Sequence, residues 1–189
     1  MSRSGSPGEP LPGDELLPAA DPVIDRHLRL AAAPLEVWPW LEQLGKNRAG
    51  WYLPRSVERF VPRRGRGLRH VDSRWLGLRV GDVVDDWGPG RPTFELLAID
   101  RPHHLVWLSE RPRRPRRGQS RPPVRMTWAL VLSPAATGAG LGSHLRLRLR
   151  LDLGNPAGPV ATYGGDAVDW LTVALLGRGL EERLREVAG

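Results

Sequence analysis

The side chains that could do chemistry in this chain are few, and their spacing scatters them. There is no cysteine, which excludes disulfides, thiolate metal sites and a cysteine nucleophile. His103 and His104 are adjacent, so on a strand they point to opposite faces and cannot act together. His27, His70 and His144 lack the short spacings that make a metal set. No serine stands in a nucleophile-elbow context. Asp82, Asp85 and Asp86 cluster after Gly81, a grouping that reads as an acidic turn at a strand end. Arg48 lies between Gly45 and Gly50, where a partly buried guanidinium needs a carboxylate or carbonyl partner. Glu58 and Asp82 are the candidates for that partner, in a structural clamp or a polar ligand contact. The pattern calls for no metal and no cofactor. General acid–base chemistry needs only one or two positioned polar groups, so the absence of a motif does not by itself exclude an enzyme.

The stronger signal is apolar. The stretch VWPWLEQLGKNRAGWY, from Val37 to Tyr52, holds Trp38, Trp40 and Trp51, three of the eight tryptophans in the chain. Core packing is the first use expected of them, with Trp51 and Tyr52 as candidates to line a ligand cavity. Downstream, Leu105 and Trp107 share a strand face, as do Met126, Trp128 and Leu130. Leu147 belongs to a third such face, and a terminal helix brings Trp170 and Val173. If these faces are concave, the ten residues enclose a space suited to an irregular apolar molecule, to which aromatic and methionine side chains adapt.

The elements that position them follow from periodicity. VIDRHLRLAA alternates well enough for a first strand. AAPLEVWPWLEQLG reads as a helix with Pro34 in its first turn and Gly45 as its stop, and Pro39 should kink it. LPRSVERFV suggests a second short helix. From Arg79 onward RVGDVVDD, RPTFELLAID, HHLVWLSE, VRMTWALVLS and SHLRLRLRLDL are strand-length runs punctuated by Gly, Pro or Asp. In the last, Leu145 to Leu153 alternate with His144, Arg146, Arg148, Arg150 and Asp152, the pattern of an antiparallel sheet with one buried and one wet face. From about Val160 to Ala188 the period becomes helical, with Trp170, Val173, Leu176, Leu180, Leu184 and Val187 as an apolar stripe. Gly177 and Gly179 should weaken that helix. The order predicts an α+β layered domain in which the long helix covers the sheet.

The chain has 189 residues, the size of one domain. Residues 1–20, rich in Pro, Gly and Ser, read as a flexible arm, and 21–189 as the domain. The net charge is +7 with a single lysine, Lys46. Six arginines fall between Arg111 and Arg121, so the basicity belongs mainly to an Arg/Pro-rich loop insert at 111–123. That loop is a candidate for weak binding of an anionic partner, with no specific nucleic acid implied. No apolar run reaches the ~18 residues of a membrane span and no secretory h-region is present, so a cytoplasmic location is expected.

Several stretches together resemble a known family. LPGDELLP, AAPLEVWPWLEQLGKNRAGWY, LRVGD and LLGRGLEERLREVA are similar to an actinobacterial-type branch of the SRPBCC superfamily, which includes START, Bet v 1-like and polyketide cyclase/dehydrase proteins. The resemblance runs from about Leu11 to Ala188, and APxxVWxWLxQxGxxRxGWY is its specific part. It implies the helix-grip fold, a curved antiparallel sheet wrapped around a long C-terminal helix with two short helices after the first strand. Between sheet and helix it implies a cavity that in many relatives takes lipids, polyketides or sterols. The arginine-rich insert is a departure from it. The expected function is a carrier or binding protein for a small apolar molecule. The alternatives are a cyclase/aromatase-like enzyme and an interaction module built on the arginine loop.

Overall fold

The computed structural model describes residues 9–87, 90–113, 122–137, 140–153 and 159–188, with 137, 159–169 and 188 described by their backbone. Six strands form one antiparallel sheet: β1 (Val23–Leu30), β2 (Val83–Asp85), β3 (Thr93–Asp100), β4 (His104–Arg111), β5 (Val124–Thr137) and β6 (Gly140–Asp152). Their order across the sheet is β1-β6-β5-β4-β3-β2. Two short helices, α1 (Pro34–Gln43) and α2 (Arg55–Glu58), follow β1, and α3 (Pro159–Ala188) ends the chain. A curved sheet gripping a terminal helix, with two short helices after the first strand, is the helix-grip fold.

Alternation fixes which face is which. Leu105, Trp107, Met126, Leu130, Leu132, Leu145 and Leu147 are all buried and join Val37, Trp38, Trp40, Leu41, Val173, Leu176 and Leu180 in one core. The α1 and α3 helices therefore cover the same face of the sheet. The β1 to β6 register sets Leu28 opposite Leu145 and Arg26 opposite Leu147.

The helix α1 opens with Pro34 in its first turn and with Glu36 Oε2 accepting from the Ala33 N–H at 2.7 Å. It runs through Pro39 to Gln43. Its C-terminal end is a hub of buried polar groups. Glu42 Oε1 accepts from the N–H groups of Gly77 (2.8 Å) and Leu78 (2.9 Å) and from Arg101 (2.6 Å), while Oε2 accepts from Trp38 Nε1 (2.9 Å). Burial alone would raise the Glu42 carboxyl, but Arg101 and these N–H donors hold it below its ordinary range. Gln43 Nε2 donates to Tyr52 Oη (3.0 Å) and to the His70 carbonyl (3.2 Å), and its Oε1 accepts from the Asp72 N–H (2.9 Å). Two consecutive polar residues thus pin the 70–78 loop to the body.

The outer face of the sheet is not simply wet. Arg148, Ala129 and Val106 stand in register across β6, β5 and β4, and all three are buried. Residues 9–20, read from composition as part of a mobile arm, lie over them. A Cβ on Gly13 would come within 2.5 Å of Val106 Cγ1, Leu17 is buried, and Asp14 Oδ2 accepts from Arg148 at 2.5 Å. Arg148 also donates to both Asp25 oxygens at 2.7 Å. Burial would raise the Asp25 carboxyl, and the hydrogen bonds from Arg148 and Arg146 outweigh it and hold it low. A guanidinium row satisfied by two carboxylates is why an arginine can be buried here. Residues 1–8 of the expected arm lie outside the described residues.

Glycine does not break α3. The helix runs on through Gly177 and Gly179 because both lie against other parts of the chain. A Cβ at 179 would sit 2.5 Å from the Tyr52 carbonyl oxygen, and one at 177 would sit 2.9 Å from Leu28 Cδ2. The helix propensity lost at each glycine, about 1 kcal/mol, is offset by this close approach. It delivers Arg183, which is fully buried, into a ring of acceptors. Arg183 donates to Leu68 O (2.7 Å), Leu53 O (3.0 Å), Gly67 O (3.2 Å), Gly179 O (2.8 Å) and Glu58 Oε1 (2.5 Å). Glu58 also accepts from Arg69 at 2.7 Å, and Arg69 reaches Glu186 on α3 at 2.6 Å.

Candidate functional site

A cavity of about 160 Å³ lies between the inner face of the sheet, the end of α1 and α3. Its sheet wall is Val84, Phe94, Trp107, Met126, Trp128, Leu130 and Leu149, from five successive strands. Leu41, Leu44, Gly45 and Trp51 close one side, Thr172 and Val173 of α3 form the lid, and Asp85, Asp86 and Trp87 stand at the mouth. The aromatic rings brace one another. Trp51 stacks on Trp128 with centroids 6.0 Å apart and meets Trp87 edge-on at 5.7 Å, and Phe94 lies 6.2 Å from Trp128. Trp51 Nε1 also donates to the Thr172 carbonyl at 3.4 Å, tying the wall to the lid.

The mouth is polar. Asp85 Oδ2 accepts from Asn47 Nδ2 at 2.7 Å. Asp86 Oδ1 accepts from the Trp87 N–H at 2.7 Å, its other oxygen pairs with Arg111, and its carbonyl accepts from Lys46 at 2.9 Å. Burial pushes the Asp86 carboxyl above its ordinary value, against the pull of the Trp87 N–H, Arg111 and Lys46. Asp86 is thus the half-buried carboxylate of an ion pair with Arg111, while Asp85 remains exposed.

Of the ten residues singled out from the sequence as cavity lining, the structure brings six to the cavity: Trp51, Trp107, Met126, Trp128, Leu130 and Val173. Tyr52, Leu105 and Leu147 are fully buried in the core beside it. Tyr52 packs edge-on to Trp40 at 5.6 Å and donates to the Trp40 carbonyl at 2.9 Å, so its role is to lock α1. Trp170 does not face the sheet: it is 47% exposed. At 100° per residue it lies roughly 80° around the helix from the centre of the stripe formed by buried Val173, Leu176 and Leu180 and partly buried Leu184. Val187, also assigned to that stripe, is exposed in the last turn.

The three polar candidates are clamps away from the cavity wall. Arg48 donates to the carbonyls of Glu42 (3.0 Å) and Trp75 (2.6 Å) and lies over the Trp75 ring at 5.2 Å. Its hydrogen-bond partners are thus carbonyls; Asp82 acts on it through its charge without a hydrogen bond, and Glu58 pairs elsewhere. Glu58 serves Arg183 and Arg69, and Asp82 caps the Arg79 N–H at 2.9 Å. In the arginine-rich loop, Arg111 ends β4 on Asp86 and Arg113 donates to the Leu153 carbonyl at 2.7 Å. Residues 114–121 of that loop lie outside the described residues.

Sequence reasoning missed Phe94, Val84, Leu149 and Trp87. Phe94 alternates with the buried Leu96, so its side could have been read from period two. Trp87 sits beyond a strand end, where no periodicity speaks for it. Among the described residues no group of three or more His, Asp or Glu could hold a metal ion, and no helix is long and apolar enough to cross a membrane.

No family model matches this chain, and no curated protein matches it. Solved structures do. Protein MLL2253 from Mesorhizobium loti is 17% identical with a TM-score of 0.49, covering 87% of this chain and 97% of that one. CalU16 from Micromonospora echinospora is 18% identical with a TM-score of 0.44, covering 88% and 85%. Ara h 8.0201 is 10% identical with a TM-score of 0.44, covering 87% and 97%. None of these similarities bears on what the chain binds.

Proposed function

We propose that this chain is a binding protein for a small apolar molecule, held in the cavity between the sheet and α3. The observation that carries the reading is the wall itself, where four tryptophans, a phenylalanine and a methionine surround a space that the core leaves unfilled. Native cores leave few voids larger than a water molecule, so an aromatic space of this volume is better accounted for by an occupant. The helix-grip architecture and the APxxVWxWLxQxGxxRxGWY block support placing the chain in the SRPBCC superfamily.

Size narrows the class. At about 160 Å³ the cavity is close to the roughly 150 Å³ apolar cavity known to take benzene. It is below the ~300–1,000 Å³ of sites that enclose drug-sized ligands. A single ring with a short substituent fits, whereas a whole sterol or polyketide does not.

The test is a titration with propylbenzene followed by tryptophan emission. Four of the eight tryptophans, Trp51, Trp87, Trp107 and Trp128, line the site, so saturable binding at one site per chain should change the emission. A linear, non-saturating response would remove the proposal.

A further inference from the structure

We propose that the turn after α2 is a docking site for an anionic phospholipid bilayer. Its sequence is RFVPRRGR, from Arg59 to Arg66, with arginines on both sides of a Phe-Val-Pro tip. Val61 is half-buried, every other residue of the turn is exposed, and Phe60 is 77% exposed. Elsewhere this chain answers its arginines with carboxylates: Arg55 pairs with Glu186, Arg69 with Glu58, Glu182 and Glu186, Arg101 with Glu42, and Arg148 with Asp14 and Asp25. Among the described residues, Arg59, Arg63, Arg64 and Arg66 have no carboxylate partner. A compositional bias toward arginine would scatter unpaired cations over the surface, whereas here four fall within eight residues.

The turn is held in place. Glu58, which ends α2, is fixed by Arg183 at 2.5 Å and Arg69 at 2.7 Å. The chain then reverses on hydrogen bonds from the Phe60 N–H to the Val57 carbonyl (3.0 Å) and from the Val61 N–H to the Glu58 carbonyl (2.9 Å). Arg66 Nε closes the turn by donating to the Val61 carbonyl at 2.8 Å. Gly67 lies so near Trp51 that a Cβ would meet its carbonyl oxygen at 2.7 Å. Phe60 is thus presented to solvent by a fixed backbone, with the Arg59 guanidinium 4.6 Å from its ring centre. A lone exposed aromatic needs no explanation. A fixed apolar tip flanked by unpaired cations, however, fits a partner that is anionic at its surface and apolar just beneath. That is the interface of an anionic bilayer, where apolar side chains enter at headgroup depth and each arginine near the leaflet strengthens binding by about fivefold. A nucleic acid fits less well. A base needs an open ring face to stack on, and Arg59 already lies over the Phe60 ring, followed by Val61 and Pro62 in place of a second aromatic.

The test is co-sedimentation of the full chain with vesicles of phosphatidylcholine alone and of phosphatidylcholine mixed with phosphatidylglycerol in equal parts. Binding to the mixed vesicles should be at least about tenfold stronger and should weaken with salt. Arg63→Gln combined with Arg64→Gln should reduce it about tenfold or more. Arg79→Gln combined with Arg91→Gln makes the same change of charge at two exposed arginines elsewhere and should cost no more than about threefold. Phe60→Ser should weaken binding by at least about threefold and remove most of what persists at high salt. Equal binding to the two kinds of vesicle, or no binding to either, overturns the proposal. Equal losses in the two arginine pairs overturn it too, since net charge alone would then be responsible, as does a Phe60→Ser chain that binds like the natural one. Binding of single-stranded RNA that falls with the turn's variants, in a chain that ignores vesicles, would assign the turn to nucleic acid instead. Circular dichroism checks each variant, and one in the turn that unfolds would show its side chains to be structural, which also counts against docking.

Discussion

Replacing Arg183 by Met removes a guanidinium and keeps most of the apolar stem, so its cost isolates the polar ring at the base of α3. Three of the acceptors, the carbonyls of Leu53, Gly67 and Leu68, lie outside the helix and would lose this donor. An unsatisfied buried acceptor costs about 1–3 kcal/mol, reduced wherever water can enter. Glu58 keeps Arg69 at 2.7 Å, so no carboxylate is left wholly unpaired. Burial pushes the Arg183 guanidinium below its ordinary pKa, with Glu58 opposing, and losing that desolvation offsets part of the damage. The sum is a destabilisation of about 3–5 kcal/mol, the range for breaking a buried ionic contact from one side. Urea denaturation at constant m would measure it, and the thermal midpoint should fall by roughly 6–20 °C for a domain of this size. Glu58→Met combined with Arg183→Met should cost less than the two single changes added, because the double variant buries no lone charge. A single-variant loss below about 1 kcal/mol would refute the reasoning and mean that water already serves those carbonyls.

Gly179→Ala should destabilise by about 1–3 kcal/mol, although alanine is the better helix former, because its Cβ would meet the Tyr52 carbonyl oxygen at 2.5 Å; a stabilised variant in thermal melts would contradict that contact. His27 and His144 stack on the outer face with Nδ1 and Nε2 3.1 Å apart, and burial first, then each other's charge at His27 and the Arg29 and Arg146 charges at His144, push both below 6.5. The unfolded chain then takes protons that the native one resists, so stability is full above about pH 6.5 and falls as pH drops below it. Melts from pH 7.5 to 5 should show this decline, and His27→Gln with His144→Gln should flatten it. The carboxylates held low, such as Glu186 at about 2, lose their contribution only below about pH 4.5, outside that window.

The sequence made the architecture legible because alternation and the 3.6 period are local signals. Met126, Trp128 and Leu130 could be assigned to one face by counting alone. What counting could not supply was the phase of each face relative to other elements. Trp170 and Arg183 show this in opposite directions. Both lie at the edges of the α3 stripe, yet the tryptophan is exposed and the arginine buried, because the Leu53, Gly67 and Leu68 carbonyls await one and nothing described covers the other. The seating of residues 9–20 was hidden for a similar reason. Its Pro- and Gly-rich composition suggests a free arm, and it is held down by partners far apart in sequence: the ion pairs of Asp14 with Arg148 and Arg150, the Arg150 hydrogen bonds to the Leu17 carbonyl and the burial of Leu17. The mouth acids at 85 and 86 were visible as an acidic turn, but their place beside Trp87 depends on the pairing of β2 with β3.

The central claim is that a ligand sits beneath α3, and Val173→Phe tests it most directly. Val173 is on the cavity wall and nearly buried, so a phenylalanine there would project into the ligand space. Propylbenzene affinity should fall at least about tenfold while the thermal midpoint holds or rises, since filling an empty apolar cavity is stabilising. A folded Val173→Phe protein that binds propylbenzene as tightly as the natural chain would contradict the account.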